Sequence, residues 1–314
     1  MSYYLGIDTS NYTTSVALYN DIDNDVTNLK KLLPVKDGEK GIRQSDAVFH
    51  HTVQLPDLIS QLFNGKHYDI KAIGVSTKPC NEEGSYMPCF LAGISVAVAL
   101  SNALNIPLYR FSHQDGHVVA ALYSADKLDL INKNFIAFHI SGGTSQALLV
   151  NPKEDYFETI KVSDSLDLKA GQAVDRVGLS LGLKFPCGPE LEKLALNSNG
   201  TINKVKVFRR DGQFSLSGVE NQCKQMIDNN KPIEDVALYC LSYIYSAIDD
   251  TVIELINKYG NLPLVFSGGV MSNSLIRKTL ELKYNAYFAE PQYSADNACG
   301  IAVLSSICNK RNKQ

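Results

Sequence analysis

The sequence has no Cys-x-x-Cys pair, although it has seven cysteines. An odd number of scattered thiols excludes a disulfide framework and a zinc ribbon, and it fits a reducing, cytoplasmic compartment. The chain has no basic surplus: 30 Lys and Arg against 33 Asp and Glu leave a formal charge of −3. No global field therefore announces a nucleic-acid partner, which leaves only a local basic face for that role. No apolar run approaches the roughly 18 residues that cross a bilayer, so no membrane is expected. The opening Met1-Ser2-Tyr3-Tyr4 lacks the charged-then-apolar pattern of a secretory signal. Histidine is scarce, at six in 314 residues. What is present is an apolar fraction of 45% with 20% charged residues, enough for one large domain or two of ordinary size.

Two of the six histidines stand four apart in Ser112-His113-Gln114-Asp115-Gly116-His117. If a helix begins here, positions i and i+4 share one face, and two imidazoles so placed hold one divalent metal. The same spacing also suits a surface or core-edge histidine pair, and a metal needs a third ligand from elsewhere. Asp296, where the last helix is expected to start, is either that carboxylate or an N-cap.

The remaining pattern is of mixed strands and helices. Strands are expected at Tyr3 to Ile7 and Ser15 to Tyr19 around a polar turn, Asp8 to Thr14. Residues Asn20 to Ser45 are expected as loop or edge. A helix follows from Ala47 to Phe63, with a kink at Pro56. Strand Ile70 to Ser76, a buried helix Phe90 to Leu104 and strand Ile106 to Arg110 lead to the histidines. The opening pattern then recurs: strand Phe135 to Ile140, the turn Ser141-Gly142-Gly143-Thr144-Ser145, and a returning strand Gln146 to Val150. An internal duplication explains the recurrence. Helices are expected at Ala170 to Leu181, Glu190 to Leu196 and Pro232 to Tyr259. Strand Leu264 to Ser267 runs into Gly268-Gly269, and a final helix spans Ala298 to Cys308. Three glycine or hydroxyl turns after strands, at Asp8, Ser141 and Gly268, suggest phosphate-binding loops in a two-half architecture of the actin, Hsp70 and sugar-kinase type. Three ordinary tight turns are the alternative. The basic stretch Lys204, Lys206, Arg209, Arg210 is a candidate phosphate contact or a solvated loop.

Taken together, these motifs resemble the TsaD/Gcp family, the threonylcarbamoyl transferases of tRNA modification, whose older label is O-sialoglycoprotein endopeptidase. The similarity runs along nearly the whole chain. It is carried by Leu5-Gly6-Ile7-Asp8-Thr9-Ser10, His113-x-x-x-His117, Ile140-Ser141-Gly142-Gly143, Ala170-Gly171-Gln172-Ala173-Val174-Asp175-Arg176, Cys187-Gly188-Pro189-Glu190-Leu191-Glu192, Phe214-Ser215-Leu216-Ser217-Gly218, Gly268-Gly269-Val270 with Asn273, and Ala295-Asp296-Asn297-Ala298. The resemblance implies an α/β fold of the actin/Hsp70/sugar-kinase (ASKHA) class: two duplicated RNase H-like halves, residues 1–132 and 133–314, around a nucleotide cleft. The last helix, about 296–310, would pack back on the first half. It implies one divalent metal, zinc or iron, on His113, His117 and Asp296. It also implies an adenine nucleotide (threonylcarbamoyl-adenylate, AMP or ATP) at Ser141, Gly142, Gly143, Gly171, Asp175, Gly188, Glu192, Gly269 and Asn273. The implied activity is acyl transfer to N6 of a tRNA adenosine beside the anticodon, with tRNA and TsaB-like and TsaE-like subunits as partners. No catalytic residue is assigned beyond the metal site.

Three segments depart from the family pattern. Its first loop usually continues Ser-Cys-Asp-Glu-Thr; here it reads Ser10-Asn11-Tyr12-Thr13-Thr14. Thr144 replaces a histidine in the second turn. The glycine-proline loop becomes Lys78-Pro79-Cys80-Asn81-Glu82-Glu83-Gly84. These departures keep two alternatives open: a paralogous carbamoyltransferase with another acceptor, and a non-catalytic nucleotide-binding subunit. A metallopeptidase is disfavoured, because Gln114 stands where the general-base glutamate would follow the first histidine.

Overall fold

The computed structural model describes residues 2–10, 12–34 and 42–313. Asn11 of the first turn, and residues 35–41 of the stretch expected as loop or edge, lie outside the described residues. The chain divides into two compact units: Met1–Asn132 with Pro152–Glu158 and Ala295–Gln314, and Lys133–Asn151 with Thr159–Ser294.

In the first unit, β1 (Tyr3–Asp8) and β2 (Thr13–Asn20) form the expected antiparallel hairpin. β3 (Asp25–Leu32) pairs with β2, and its polar, largely uncovered residues make it the sheet edge. α1 (Gln44–Phe63) starts ahead of the expected Ala47 and continues through Pro56. β4 (Ile70–Lys78), α2 (Phe90–Leu104), β5 (Leu108–Ser112) and α3 (His113–Ser124) follow. The sheet order is β3-β2-β1-β4-β5, with β1, β4 and β5 parallel. α2 is not the buried helix its composition suggests. Phe90, Ala92, Gly93 and Ala97 are covered, whereas Leu91 and Leu104 are exposed. A helix that is apolar all round can still cover a sheet with one face only.

In the second unit, β6 (Phe135–Ile140), β7 (Ser145–Pro152) and β8 (Phe157–Asp164) precede α4 (Ala170–Ser180) and α5 (Gly188–Leu196). A short hairpin, β9 (Arg209–Arg210) and β10 (Gln213–Phe214), leads to α6 (Gly218–Asp228) and α7 (Ile233–Tyr259). β11 (Leu264–Ser267), α8 (Ser274–Lys283), β12 (Ala286–Phe288) and α9 (Pro291–Ser294) complete it. α10 (Cys299–Arg311) belongs to the first unit. The second sheet has the order β12-β11-β6-β7-β8, with β6 antiparallel to β7 and parallel to β11. Read from β8, this is the topology of the first sheet: three consecutive strands, then two parallel additions. Each sheet is an RNase H-like half, and the chain contains two.

α7 has the length and composition of a membrane span, but 83% of its apolar window is buried, among the side chains of the second core. Phe138, Phe266 and Phe288 stack across three neighbouring strands of that core at 4.7 and 4.8 Å. Each such buried side chain contributes about 1.5–3 kcal/mol.

Candidate metal and nucleotide sites

The first site lies within the first unit. Ser112 caps α3: its side chain accepts from the Asp115 N–H, and the Asp115 carboxylate accepts from the Ser112 N–H. This reciprocal cap starts the helix at His113 and puts His117 one turn on, on the same face. Asp115 is therefore structural. It is fully buried, and its carboxylate also accepts from Asn81 at 2.9 Å and from the Tyr156 hydroxyl at 3.4 Å. Burial pushes its carboxyl up, against the opposing hydrogen bonds from Ser112 and Asn81.

Asp296 reaches the pair because α10 crosses α3 with glycine on both sides. A Cβ on Gly300 would stand 1.9 Å from the Gly116 carbonyl oxygen, so the backbones touch where any side chain would separate them. Asp296 is not the N-cap. Ala298 holds that position, and the Asn297 side chain accepts from the Cys299 N–H. The Asp296 carboxylate is left to face the histidines. Its Oδ1 lies 3.5 Å from His113 Nε2 and 3.4 Å from His117 Nε2. One ligand atom from each residue falls within 4.8 Å of the others. Ligands about 2.1 Å from a tetrahedral centre are about 3.4 Å apart. The donor set, and the two spacings from Asp296 to the histidines, fit a divalent ion held by three protein ligands.

The electrostatics are those of a compact charge cluster. Burial opposes charge on His113, yet the Asp8 and Asp296 carboxylates outweigh it and push the ring up to about 10. Burial and the neighbouring His113 charge hold His117 down. Asp296 stays well below the usual carboxylate range, because the two imidazoles overcome its burial. Asp8, which sequence reasoning did not select, lies 2.8 Å from His113 Nδ1 and is 1% exposed. Those two residues are 105 positions apart, and no local spacing signals the contact.

The second site lies within the second unit, in a cavity of about 460 Å³. Gly171 and Asp175 share one face of α4, and Gly188 and Glu192 share one face of α5, because each pair is four apart. All four line the cavity, together with Gly142, Gly269 and Asn273. Val174, Pro186, Pro189, Leu241 and Val270 supply apolar walls, of which Pro186 and Leu241 lie outside the motifs singled out from the sequence. The Cys187 N–H donates to Asp175 Oδ1 at 2.8 Å, and the Ser274 N–H donates to Glu192 Oε1 at 2.8 Å. One oxygen of each carboxylate is thereby fixed. Asn273 caps α8 through its side-chain oxygen.

Glycine serves two purposes here. A Cβ on Gly171 would meet the Gly142 Cα and N at 2.7 Å, so α4 begins against the backbone of the Ser141 turn. At Gly142, Gly188 and Gly269 a Cβ would meet nothing within 4 Å, and none of these has a positive φ. At these three positions a Cβ would project into open space. Ser141 and Gly143 are engaged in their own turn: Ser141 Oγ accepts from the Gly143 and Thr144 N–H groups at 3.3 and 3.1 Å.

The departing and basic segments are also placed. Thr13 is buried, and Thr14 donates to Gln54 and lies 2.8 Å from His51 Nδ1, so both point into packing. Lys204 pairs with Asp249 and Asp250, and Arg209 with Glu254, which leaves Lys206 and Arg210 as the exposed charges of that stretch without those ties. The Phe214-Ser-Leu-Ser-Gly motif is held by Asp167. Its carboxylate accepts from the Ser215 and Ser217 hydroxyls at 2.6 Å and from the Leu216 N–H at 2.8 Å. Partial desolvation works against ionisation of Asp167, but these donors hold it at about 2.

The family model described as TsaD, tRNA N6-adenosine threonylcarbamoyltransferase, matches residues 24–303. A protein of that name from Kosmotoga olearia is 31% identical over 230 residues, covering 70% of this chain and 68% of the relative. Among solved structures, full-length HypF in its phosphate- and nucleotide-bound form superposes with a TM-score of 0.60 at 12% identity. The match covers 99% of this chain and 47% of HypF, so the chain spans about half of that protein. A ROK family glucokinase from Streptomyces griseus, in complex with glucose and AMPPNP, gives 0.54 at 10% identity, covering 97% and 99%. These likenesses show the sugar-kinase-type fold, and the match of sequence over most of the length places the chain in the TsaD family of tRNA N6-adenosine threonylcarbamoyltransferases.

Proposed function

We propose that this protein transfers a threonylcarbamoyl group from its mixed anhydride with AMP to N6 of a tRNA adenosine beside the anticodon. The observation that carries the proposal is family membership across residues 24–303, in a chain that keeps both the His113, His117 and Asp296 cluster and the glycine-lined cavity.

In this account His113, His117 and Asp296 would hold one zinc or iron ion, which would supply Lewis acidity to a carbonyl oxygen. Asp175 and Glu192, each with one oxygen fixed by a backbone N–H, accept from the ribose hydroxyls with the other. Gly142, Gly188 and Gly269 leave room for the nucleotide, and the apolar walls from Val174 and Leu241 sandwich adenine. Ser141 and Gly143 shape the turn that brings Gly142 to the phosphate, and Asn273 and Gly171 hold the neighbouring helix starts in place. The N6 amine forms a bond to the carbamoyl carbon. The carbon–oxygen bond to phosphate breaks, AMP leaves with the electron pair, and the amine proton passes to water. We assign tRNA as substrate, TsaB-like and TsaE-like subunits as partners, and the cytoplasm as location; the odd count of seven cysteines, scattered along the sequence, supports the last.

The test is incubation of the protein with threonylcarbamoyl-adenylate, those partners and unmodified tRNA. Modified adenosine and AMP are expected in equal amounts. Unmodified tRNA, while a curated relative succeeds in parallel, would contradict the assignment.

A further inference from the structure

We infer that Asp8 is a positioning residue for the metal site: it dictates which nitrogen of His113 is offered as a ligand. The inference rests on the metal reading above and adds a residue to it. Asp8 ends β1, and the sheet register sets it opposite Ser15. Its carboxylate is held at both oxygens. Oδ1 accepts from the Ser10 N–H at 2.8 Å, and Oδ2 lies 2.8 Å from His113 Nδ1. The side chain is 1% exposed, so water does not compete for it.

An ionised carboxylate only accepts hydrogen bonds, so Nδ1 must carry a proton. Nε2, the nitrogen that faces Asp296 Oδ1 at 3.5 Å, is then the one left to give up its proton and offer a lone pair to a metal. A carboxylate behind a ligating imidazole fixes its tautomer and ring orientation and raises its basicity; loss of such a partner typically lowers metal affinity about 10- to 100-fold. The two bonds of Asp8 also tie the ligand to the first loop, since the residue that steers His113 is the one that anchors the Ser10 N–H.

Asp8→Asn is the informative variant because it conserves shape and reverses the hydrogen bonding. Asparagine keeps the Ser10 bond through its oxygen and turns its NH2 toward His113 Nδ1. That arrangement favours a proton on Nε2, which is then unavailable to a metal. Binding then requires the amide to turn over and lose the Ser10 bond.

The experiment uses the full chain and zinc ion, titrated in competition with a chromophoric chelator, on wild type, Asp8→Asn and Asp8→Ala. Zinc-loaded, histidine-labelled wild type is also examined by NMR. Expected are one zinc per wild-type chain, a protected His113 Nδ1–H resonance, an affinity about 10- to 100-fold lower in Asp8→Asn, and loss of that protected resonance in Asp8→Ala. Wild-type zinc binding with affinity in Asp8→Asn within twofold of it overturns the role of Asp8 while the metal reading stands. So does a zinc-loaded wild type whose His113 lacks the Nδ1–H proton, a readout that needs no variant to fold. A wild type that binds no zinc or iron overturns both.

Discussion

Gly269→Ala and Gly171→Ala separate a glycine kept for a ligand from a glycine kept for the fold. At Gly269 a Cβ meets nothing within 4 Å and φ is not positive. Alanine there restricts the unfolded chain without clashing, which stabilises by about 0.4–1 kcal/mol and raises Tm by about 1–4 °C. If the space belongs to a nucleotide, the same methyl overpacks the complex by about 1–3 kcal/mol, an affinity loss of roughly 5- to 150-fold. At Gly171 the Cβ lies 2.7 Å from backbone atoms of Gly142, which cannot swing aside. Alanine there should cost about 1–3 kcal/mol of stability and weaken AMP binding as well, because the turn moves. Thermal melts with and without AMP, with calorimetric titration of AMP, read both quantities. Stability should change with opposite sign in the two variants and affinity with the same sign. A Gly269→Ala protein that binds AMP within twofold of wild type would refute the claim that the space is the ligand's. A Gly171→Ala protein that melts like wild type would refute the close approach.

Gly300→Ala should be among the most damaging small substitutions, since its Cβ would fall 1.9 Å from the Gly116 carbonyl. A loss of at least about 3 kcal/mol is expected, together with zinc binding, by denaturant melts and metal analysis. In chelator-treated protein, His113 is held up to about 10 in the folded state against about 6.5 unfolded. A raised folded value gives stability that is complete below the unfolded value and lost as pH rises through about 10. Tm of the metal-free protein should therefore fall across that window, and a His113→Ala variant should lack the slope. Asp167 is the opposite case, at about 2. Its contribution is present above about 3.9 and disappears as pH falls through about 2. Because the residue is exposed, screening limits it to about 1 kcal/mol, measured as the difference in acid unfolding between wild type and Asp167→Ala.

Much of the fold could be read from local pattern. The β1–β2 and β6–β7 hairpins announce themselves by apolar runs around polar turns, and their recurrence points to the shared strand order of the two sheets. β3 was legible only as an edge, because Asp25, Asn28, Lys30 and Lys31 give it no buried face to read. β8, β12 and α6 drew no expectation: the first two are short or partly polar, and α6 follows a motif read for its resemblance. At the sites, His113 and His117 were visible because one helical turn separates them. Asp296 was visible as a choice between cap and ligand; Ala298 holds the cap position, and the Asn297 side chain, not that of Asp296, accepts from the Cys299 N–H. The contacts of Asp8 with His113 and of Asp167 with the Ser215–Ser217 segment were not visible. The paired residues lie 105 and 48 positions apart in sequence, and only the sheet and the returning chain bring them together.

The central claim is that the metal cluster and the nucleotide cavity serve one transfer reaction. Nucleoside analysis of tRNA, after incubation with threonylcarbamoyl-adenylate and either wild-type protein or a His113→Ala/His117→Ala variant, tests it most directly. The account predicts modified adenosine with wild type and none with the variant, although both bind AMP alike. Equal modification by both proteins, or none by wild type with its partner subunits present, would contradict it.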